Sequence, residues 1–593
     1  MMRLHLQVIS ITIFCLILPI KASLSSLDAR ADIEPSRPIV KVKNGTYAGV
    51  HNDHYNIDYF LGLPFAQPPV GDLRLALPQS LNTSFSEIRN ATDLQPSCVQ
   101  FSAITIDRPI SEDCLTLNVY RPSGFEKAKL PVLVWIYGGG WIQGSNSDPR
   151  HNLTFMVNNS VKMNKPIIAV SINYRLNGFG FLGGPDVREK GLGNLGYRDQ
   201  RLALHWIQEN IEFFGGDPSK VTIWGQSAGG FSVGSHLLAF GGRNDSLFRA
   251  VIANSGGPLS ALIPESSQLQ SWNEILNGTE CSSASDSLHC LRGLSSEKYI
   301  AAVNSTKGRF GPILDGEYFD SLNSKQLEEG RFVKVPFLTG ANTDEGSHFA
   351  GDRDYVGGLP TVAYPDEASF LKVLNDSIIN KTATPVALEV LSALYPDIPA
   401  VGVPHTHHGR LNSTFGAQYA RVASFNGDLV IHRARRFSAQ IWAKHDVPIY
   451  SYLYDQWPIG GLSDSTGASH FTEMQLINDN ELGDGYLSPW YPSGSEFAGQ
   501  NKDFTALARL MSRMWISFAH NLDPNAHGIG KYDGTKIPQW PTYTSNESAA
   551  DTGYGNNLRL LSSLPGLCTV EPDIYRAEAI DYLIKNVETI FGN

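Results

Sequence analysis

After its first twenty residues, this chain of 593 residues has no apolar run long enough to cross a bilayer, so nothing beyond the N-terminus reads as a membrane span. Basic runs are missing as well. Lys and Arg total 47 against 58 Asp and Glu, a net charge of −11, and without a cationic patch there is no footprint for a nucleic-acid partner. Charged residues are scarce at 18% while hydrophobic ones reach 42%, which excludes a disordered chain and leaves material for a sizeable core. Cysteine is sparse, with 6 in all and none at metal-ligand spacing. Repeats, low-complexity tracts and a Pro- or Ser-rich linker are absent, so neither a solenoid nor cleanly separated domains are expected.

What is present begins with a targeting signal. Residues 1–22 carry Arg3, an apolar run from Val8 to Ile20 and then small residues, a secretory signal cleaved at about 22–26; a signal anchor is the alternative. Cys15 would leave with it. Of the remaining cysteines, Cys98 with Cys114 and Cys281 with Cys290 are the simplest bridges because short loops close readily, and Cys568 is the odd one. Sequons at Asn44, Asn82, Asn90, Asn152, Asn158, Asn244, Asn277, Asn304, Asn375, Asn380, Asn412 and Asn546 suit an extracellular, N-glycosylated product.

Short apolar runs rich in Val, Ile and aromatics recur at 132–137, 167–173, 221–224, 250–254, 336–339 and 449–454, without the strict alternation of a half-exposed strand. Between the second and third, Leu202, Trp206, Ile207 and Ile211 fall at helical spacing until Gly215 and Gly216. Strand, helix, strand predicts a parallel sheet. Residues 27–593 read as one catalytic domain with long insertions, the largest at about 365–429, and residues 504–519 predict a helix packed back on the sheet.

Gly225-Gln226-Ser227-Ala228-Gly229 fits G-x-S-x-G, follows an apolar strand and opens a run of small residues, the context of a nucleophile elbow. Gly230-Phe231-Ser232-Val233-Gly234 matches the bare pattern too, but no strand precedes Ser232. A packing turn is the bland alternative for Ser227. Upstream, Gly138-Gly139-Gly140-Trp141 follows the strand at 132–137, where glycines can turn two backbone N–H groups toward one point, as an oxyanion requires.

Further blocks make the resemblance specific. Ser111-Glu112-Asp113-Cys114-Leu115-Thr116-Leu117-Asn118-Val119, Asn173-Tyr174-Arg175, Gly193-Asn194-Leu195-Gly196-Tyr197-Arg198-Asp199-Gln200, Phe214-Gly215-Gly216-Asp217-Pro218 and the elbow resemble, in order, those of the type-B carboxylesterase/lipase family, the cholinesterase-like α/β-hydrolases, and among them secreted fungal carboxylesterases. The resemblance implies an α/β-hydrolase fold with a large, mostly parallel central sheet, helices on both faces and long insertions. It implies hydrolysis of small-molecule esters by Ser227, with Glu345 of Asn342-Thr343-Asp344-Glu345-Gly346 as the acid and His470 of Gly467-Ala468-Ser469-His470-Phe471-Thr472-Glu473 as the base; Asp344 is the fallback acid. Gly139, Gly140 and Ala228 would form the oxyanion hole. No cofactor and no metal is called for, and His405, His407 and His408 read as a solvated loop in the insertion. The family's disulfides agree with the pairs above, and Arg74 with Glu112 and Arg175 with Asp199 would be structural ion pairs.

Two departures bear on specificity. Gln226 stands where many relatives carry Glu, and the segment between Cys98 and Cys114 holds Phe101 but no Trp, so cholinesterase specificity is not expected. That segment is short and its second half, with Asp107, Arg108, Glu112 and Asp113, is polar. It predicts an open gorge for soluble short- to medium-chain esters, unless the insertion at 365–429 supplies a lid. An interfacially activated lipase is the second reading, and a non-catalytic adhesion protein of the same fold the third.

Overall fold

The structure, a computed structural model, describes residues 37–592 apart from 102–108, 261, 351–362, 408, 412–413, 458–462, 485–496 and 545–553. The signal segment, Asp107, Arg108, His408 and the sequons at Asn412 and Asn546 lie outside the described residues.

The frame is an eleven-stranded sheet. In chain order its strands are β1 (Val50–Asn52), β2 (Ile57–Pro64), β3 (Thr116–Pro122), β4 (Leu130–Ile136), β5 (Ile168–Ile172), β6 (Gly216–Gln226), β7 (Ala250–Asn254), β8 (Phe337–Asn342), β9 (Ile449–Tyr454), β10 (Asn556–Leu560) and β11 (Cys568–Pro572). Their spatial order is β11-β10-β9-β8-β7-β6-β4-β5-β3-β2-β1. All pairings from β5 through β10 are parallel, and antiparallel strands flank them at both sides. With helices on both faces, this is the α/β-hydrolase architecture that the resemblance implies.

Why these strands are central follows from their side chains. Every residue of β4, β5, β7, β8 and β9 is buried, which suits continuous apolar runs covered on both faces. Each fully buried Val, Ile or Leu contributes about 1.5–3 kcal/mol relative to exposure. Trp135 of β4 and Trp224 of β6 meet edge to face at 4.5 Å, giving the core a bulky centre between two neighbouring strands. The helix expected at 504–519 runs over Lys502–Asn521 and buries Leu507, Leu510, Met514 and Phe518 in that core.

The helix after β5 starts earlier than its periodicity suggests, at Leu195, and runs to Asn210 before a tighter turn, Ile211–Phe214, carries it to Gly215. Its first turn is buried through Leu195 and Tyr197, so tertiary packing extends it. The insertion from 363 onward carries the helices Glu367–Ser377, Thr384–Leu394 and Tyr419–Gly427. Phe370, Leu374, Leu391, Tyr395 and Val422 form a core of their own there, which Leu583 and Phe591 near the C-terminus complete.

Candidate active site

The parallel strands deliver their C-terminal ends to one edge, and the chemistry-bearing residues are found there. Ser227 directly follows β6 and precedes the helix Ala228–Gly242. Its φ of 58° and ψ of −128° are strained for a residue with a Cβ. Glycine on both sides is what permits the turn: a Cβ on Gly225 would come within 2.3 Å of the Gly229 carbonyl, and one on Gly229 within 2.0 Å of the Ile136 carbonyl. Ser227 is half-buried while the rest of the elbow is buried. Ser232, by contrast, is fully buried, donates to the Ala228 carbonyl at 2.7 Å and accepts from Gln200 at 3.1 Å.

Gly138, Gly139 and Gly140 follow β4. A Cβ on Gly138 would meet the Gln226 carbonyl at 2.5 Å and the Ser227 Cβ at 2.9 Å, so the glycine loop lies directly against the elbow. Gly139 and Gly140 have φ of 103° and 64°. Among the described residues their N–H groups donate to no protein acceptor, which leaves two donors beside Ser227. Gln100 ties the disulfide-bounded segment to this loop, since its side chain donates to the Gly144 carbonyl at 3.0 Å and accepts from the Gly144 N–H at 2.9 Å.

His470 comes from the far side. Its Nδ1 lies 2.5 Å from Glu345 Oε2, with both side chains buried, and its Nε2 lies 3.4 Å from the Gln226 amide nitrogen on the elbow. Glu345 Oε1 accepts from the Ser255 hydroxyl at 2.5 Å and from the Asn342 N–H at 2.8 Å. Asp344 faces away from His470; its carboxylate accepts from the backbone N–H groups of His405 and Ala468, each at 2.9 Å. The His348 and Phe349 rings flank His470 at 5.1 and 4.9 Å. Burial, with the nearby His470, pushes the His348 pKa down to about 3, so it stays neutral.

Three contributors carry no role in the sequence reading. Ser255 and Asn342 hold Glu345, and Glu473, three residues beyond His470 at the start of the helix Glu473–Asn478, is wholly buried and accepts from Asn342 Nδ2 at 2.7 Å. Burial first, then the charge of Glu345, pushes the Glu473 pKa up to about 8, so it is a neutral acid at pH 7. Its position three residues after His470 was the available signal. Another reading needs correction: His405 is not in a solvated loop. Its side chain is 33% exposed and stands between Asp344, 2.7 Å from Nδ1, and Asp455, 3.0 Å from Nε2. The fold fixes it there by packing the insertion against the ends of β8 and β9.

The supporting bonds are as follows. Cys98 joins Cys114 and Cys281 joins Cys290, while Cys568 is a buried thiol whose pKa burial pushes up to about 12. Arg74 grips Glu112 through two hydrogen bonds of 2.7 Å, and Arg175 grips Asp199 at 2.7 and 2.8 Å.

Comparison with known proteins agrees with this geometry. The carboxylesterase family model matches residues 36–557. Lipase 4 of Diutina rugosa is 33% identical over 576 residues, covering 90% of this chain and 93% of its own. The secreted triacylglycerol lipase LIP1 of Gibberella zeae is 33% identical, with coverages of 88% and 87%. The crystal structure of Aspergillus niger EstA superposes with a TM-score of 0.76 at 28% identity, covering 94% of this chain and 99% of its own. With a strained serine between an N–H-lined loop and a buried His–Glu pair, on a fold and sequence shared across nearly its whole length, the chain belongs to the carboxylesterase family and is a carboxylic ester hydrolase.

Proposed function

We propose that this protein is a secreted serine hydrolase that cleaves soluble short- to medium-chain carboxylic esters through an acyl-enzyme. The observation that carries the reading is the His470 ring, held by Glu345 at Nδ1 while Nε2 faces the elbow. In this reading Glu345 keeps the proton on Nδ1, so Nε2 is the free base that accepts the Ser227 proton as Oγ attacks the ester carbonyl. The N–H groups of Gly139, Gly140 and Ala228 stabilise the tetrahedral oxyanion, each donor contributing about 3–4 kcal/mol in a preorganised site. His470 then protonates the departing alcohol, and water repeats the sequence on the acyl-enzyme. Secretion is supported by the N-terminal signal pattern, two disulfides and sequon asparagines of which none is buried among the described residues.

The preference for soluble esters rests on the short segment between Cys98 and Cys114, anchored by Gln100 to the glycine loop. An interfacial lipase is the second reading, favoured by relatives that are themselves named lipases. Rates measured across the solubility limit of tributyrin decide between them: a simple hyperbola supports the esterase, and a jump when droplets form makes the lipase correct. Phosphonate treatment followed by peptide mapping tests the nucleophile, with one adduct expected on Ser227; an adduct elsewhere, or none in a folded sample, overturns the assignment.

A further inference from the structure

One titratable side chain outside the proposed triad is built into both turns that carry its acid and its base. His405 lies in the insertion, 61 residues from Asp344, to which it bonds twice, through its backbone N–H at 2.9 Å and its Nδ1 at 2.7 Å. Its Nε2 is 3.0 Å from Asp455, which directly follows β9. Both ring nitrogens thus face carboxylate oxygens, and only the doubly protonated ring donates from both. Burial opposes that charge, but the hydrogen bonds and charges of Asp344 and Asp455 outweigh it and raise the pKa to about 10. The Trp457 ring, edge-on at 5.3 Å, closes the site on another side.

The two carboxylates are connectors. Asp344 precedes Glu345, and it exchanges two bonds with Ala468, two residues before His470: Asp344 N–H to the Ala468 carbonyl at 3.0 Å, and Ala468 N–H to Asp344 Oδ2 at 2.9 Å. Gly467, with φ of +60°, passes so close that a Cβ would reach Asp344 Oδ2 at 2.1 Å and Pro404 at 3.0 Å. Asp455 accepts from Thr343 Oγ1 at 2.7 Å and from Arg559 Nε at 2.7 Å. Insertion, acid turn, base turn and sheet edge therefore meet on one imidazole.

We propose that His405 is a positioning residue for ester hydrolysis: wedged between Asp344 and Asp455, it locks the turn that carries Glu345 against the turn that carries His470 and balances the two carboxylates behind them. The inference rests on the proposed triad. It also gives the insertion a function other than a lid, as a brace whose registration sets the geometry of the acid–base pair.

The charge count makes the proposal measurable. Facing His405 are Asp344, Asp455 and, through Asp455, Arg559, which has Glu571 at 3.9 Å; the Tyr575 hydroxyl donates to the Thr343 carbonyl nearby. Facing His470 are Glu345, neutral His348, the Gln226 amide and, through Asn342, Glu473. Without His405 the cluster gains one net negative charge behind Glu345, and negative charge favours the imidazolium of His470.

The test compares wild type, His405→Gln, His405→Lys and Ser227→Ala on p-nitrophenyl butyrate from pH 5 to 10. We expect His405→Gln to lower kcat by about ten- to a hundredfold with KM little changed, and to move the acid limb of kcat/KM upward by about half a pH unit. His405→Lys keeps the positive charge and should leave that limb at its wild-type position. A His405→Gln protein with lowered Tm but wild-type kcat and acid limb overturns the proposal, leaving His405 a purely structural clamp. Should His405→Gln not fold, Asp455→Asn removes one negative charge instead, and the limb should move downward; a limb that stays put overturns the proposal equally. Ser227→Ala with appreciable turnover would overturn the triad reading itself, whatever the His405 variants do.

Discussion

The two halves of the candidate site are made by different means. On the elbow side, the geometry is backbone: Ser227 is aimed by its own strained dihedrals, and Gly138, Gly225 and Gly229 are required because neighbouring carbonyls leave no room for a Cβ. On the acid–base side the geometry is side chain: Glu345 is held by Ser255 and Asn342, Asn342 also binds Glu473, and Asp344 leans on His405. The first half is written in two short stretches, 138–140 and 225–229. The second is assembled by contacts between chain segments 61 to 131 residues apart, and it admits small adjustments that the first does not.

The sharpest way to break this comparison is at the nucleophile. Ser227→Ala should lower kcat by about 10⁶ without a change in Tm, since triad members act as a unit, while Ser232→Ala, in a helix and already bonded, should leave most activity. Similar losses from both would make the elbow assignment wrong. Next in size, Glu345→Gln should cost about 10⁴ in kcat because an amide neither fixes the imidazole tautomer nor stabilises the imidazolium. Asp344→Asn should be milder, and a reversed ranking in steady-state rates would shift the acid by one position.

A third variant moves from chemistry to packing. Gly229→Ala forces a Cβ to within 2.0 Å of the Ile136 carbonyl, and a clash with backbone has no flexible side chain to absorb it. A destabilisation of about 3 kcal/mol or more is expected, read as a fall in Tm or loss of soluble protein. The smallest effect belongs to the polar half. Because Glu473 binds its proton up to about pH 8 when folded and releases it near its ordinary value of 4.5 when unfolded, stability falls as pH rises through that window, at up to about 1.4 kcal/mol per pH unit. Glu473→Gln should flatten this slope relative to wild type. Unchanged pH dependence in denaturant titrations at pH 5 and 8 would mean that Glu473 ionises normally.

The same contrast governs what could be read in advance. The strands at 250–254 and 449–454 are bounded in the structure as their apolar runs suggest, because burial on both faces leaves a continuous local signature. The glycine loop and elbow were legible for a similar reason: steric need for glycine recurs in a short stretch. The start of the helix Leu195–Asn210 was not, since its first turn is held by packing rather than by periodicity. His405 was not legible because Pro, Thr, His and Gly around it look like any loop, while its two acids lie just beyond the ends of β8 and β9. Ser255 is one more serine after a strand until the Glu345 carboxylate, 90 residues later, arrives against its hydroxyl.

The order of strands along the chain also sets a timetable. The glycine loop and Ser227 are complete once β7 has been made, since the Ser227 N–H donates to the Asn254 carbonyl at its end at 3.0 Å, and their contacts join β4, β5, β6 and β7 over a short stretch of sequence. The base turn at 467–470 can dock only after β9, and β9 is itself flanked by β10, near the end of the chain. Non-local pairings of this kind close slowly, and large proteins pass through partly built intermediates on the way. A nascent chain therefore displays Ser227 well before the turn that carries His470 has been made, so in the proposed mechanism hydrolysis waits until β9 and that turn have joined the sheet.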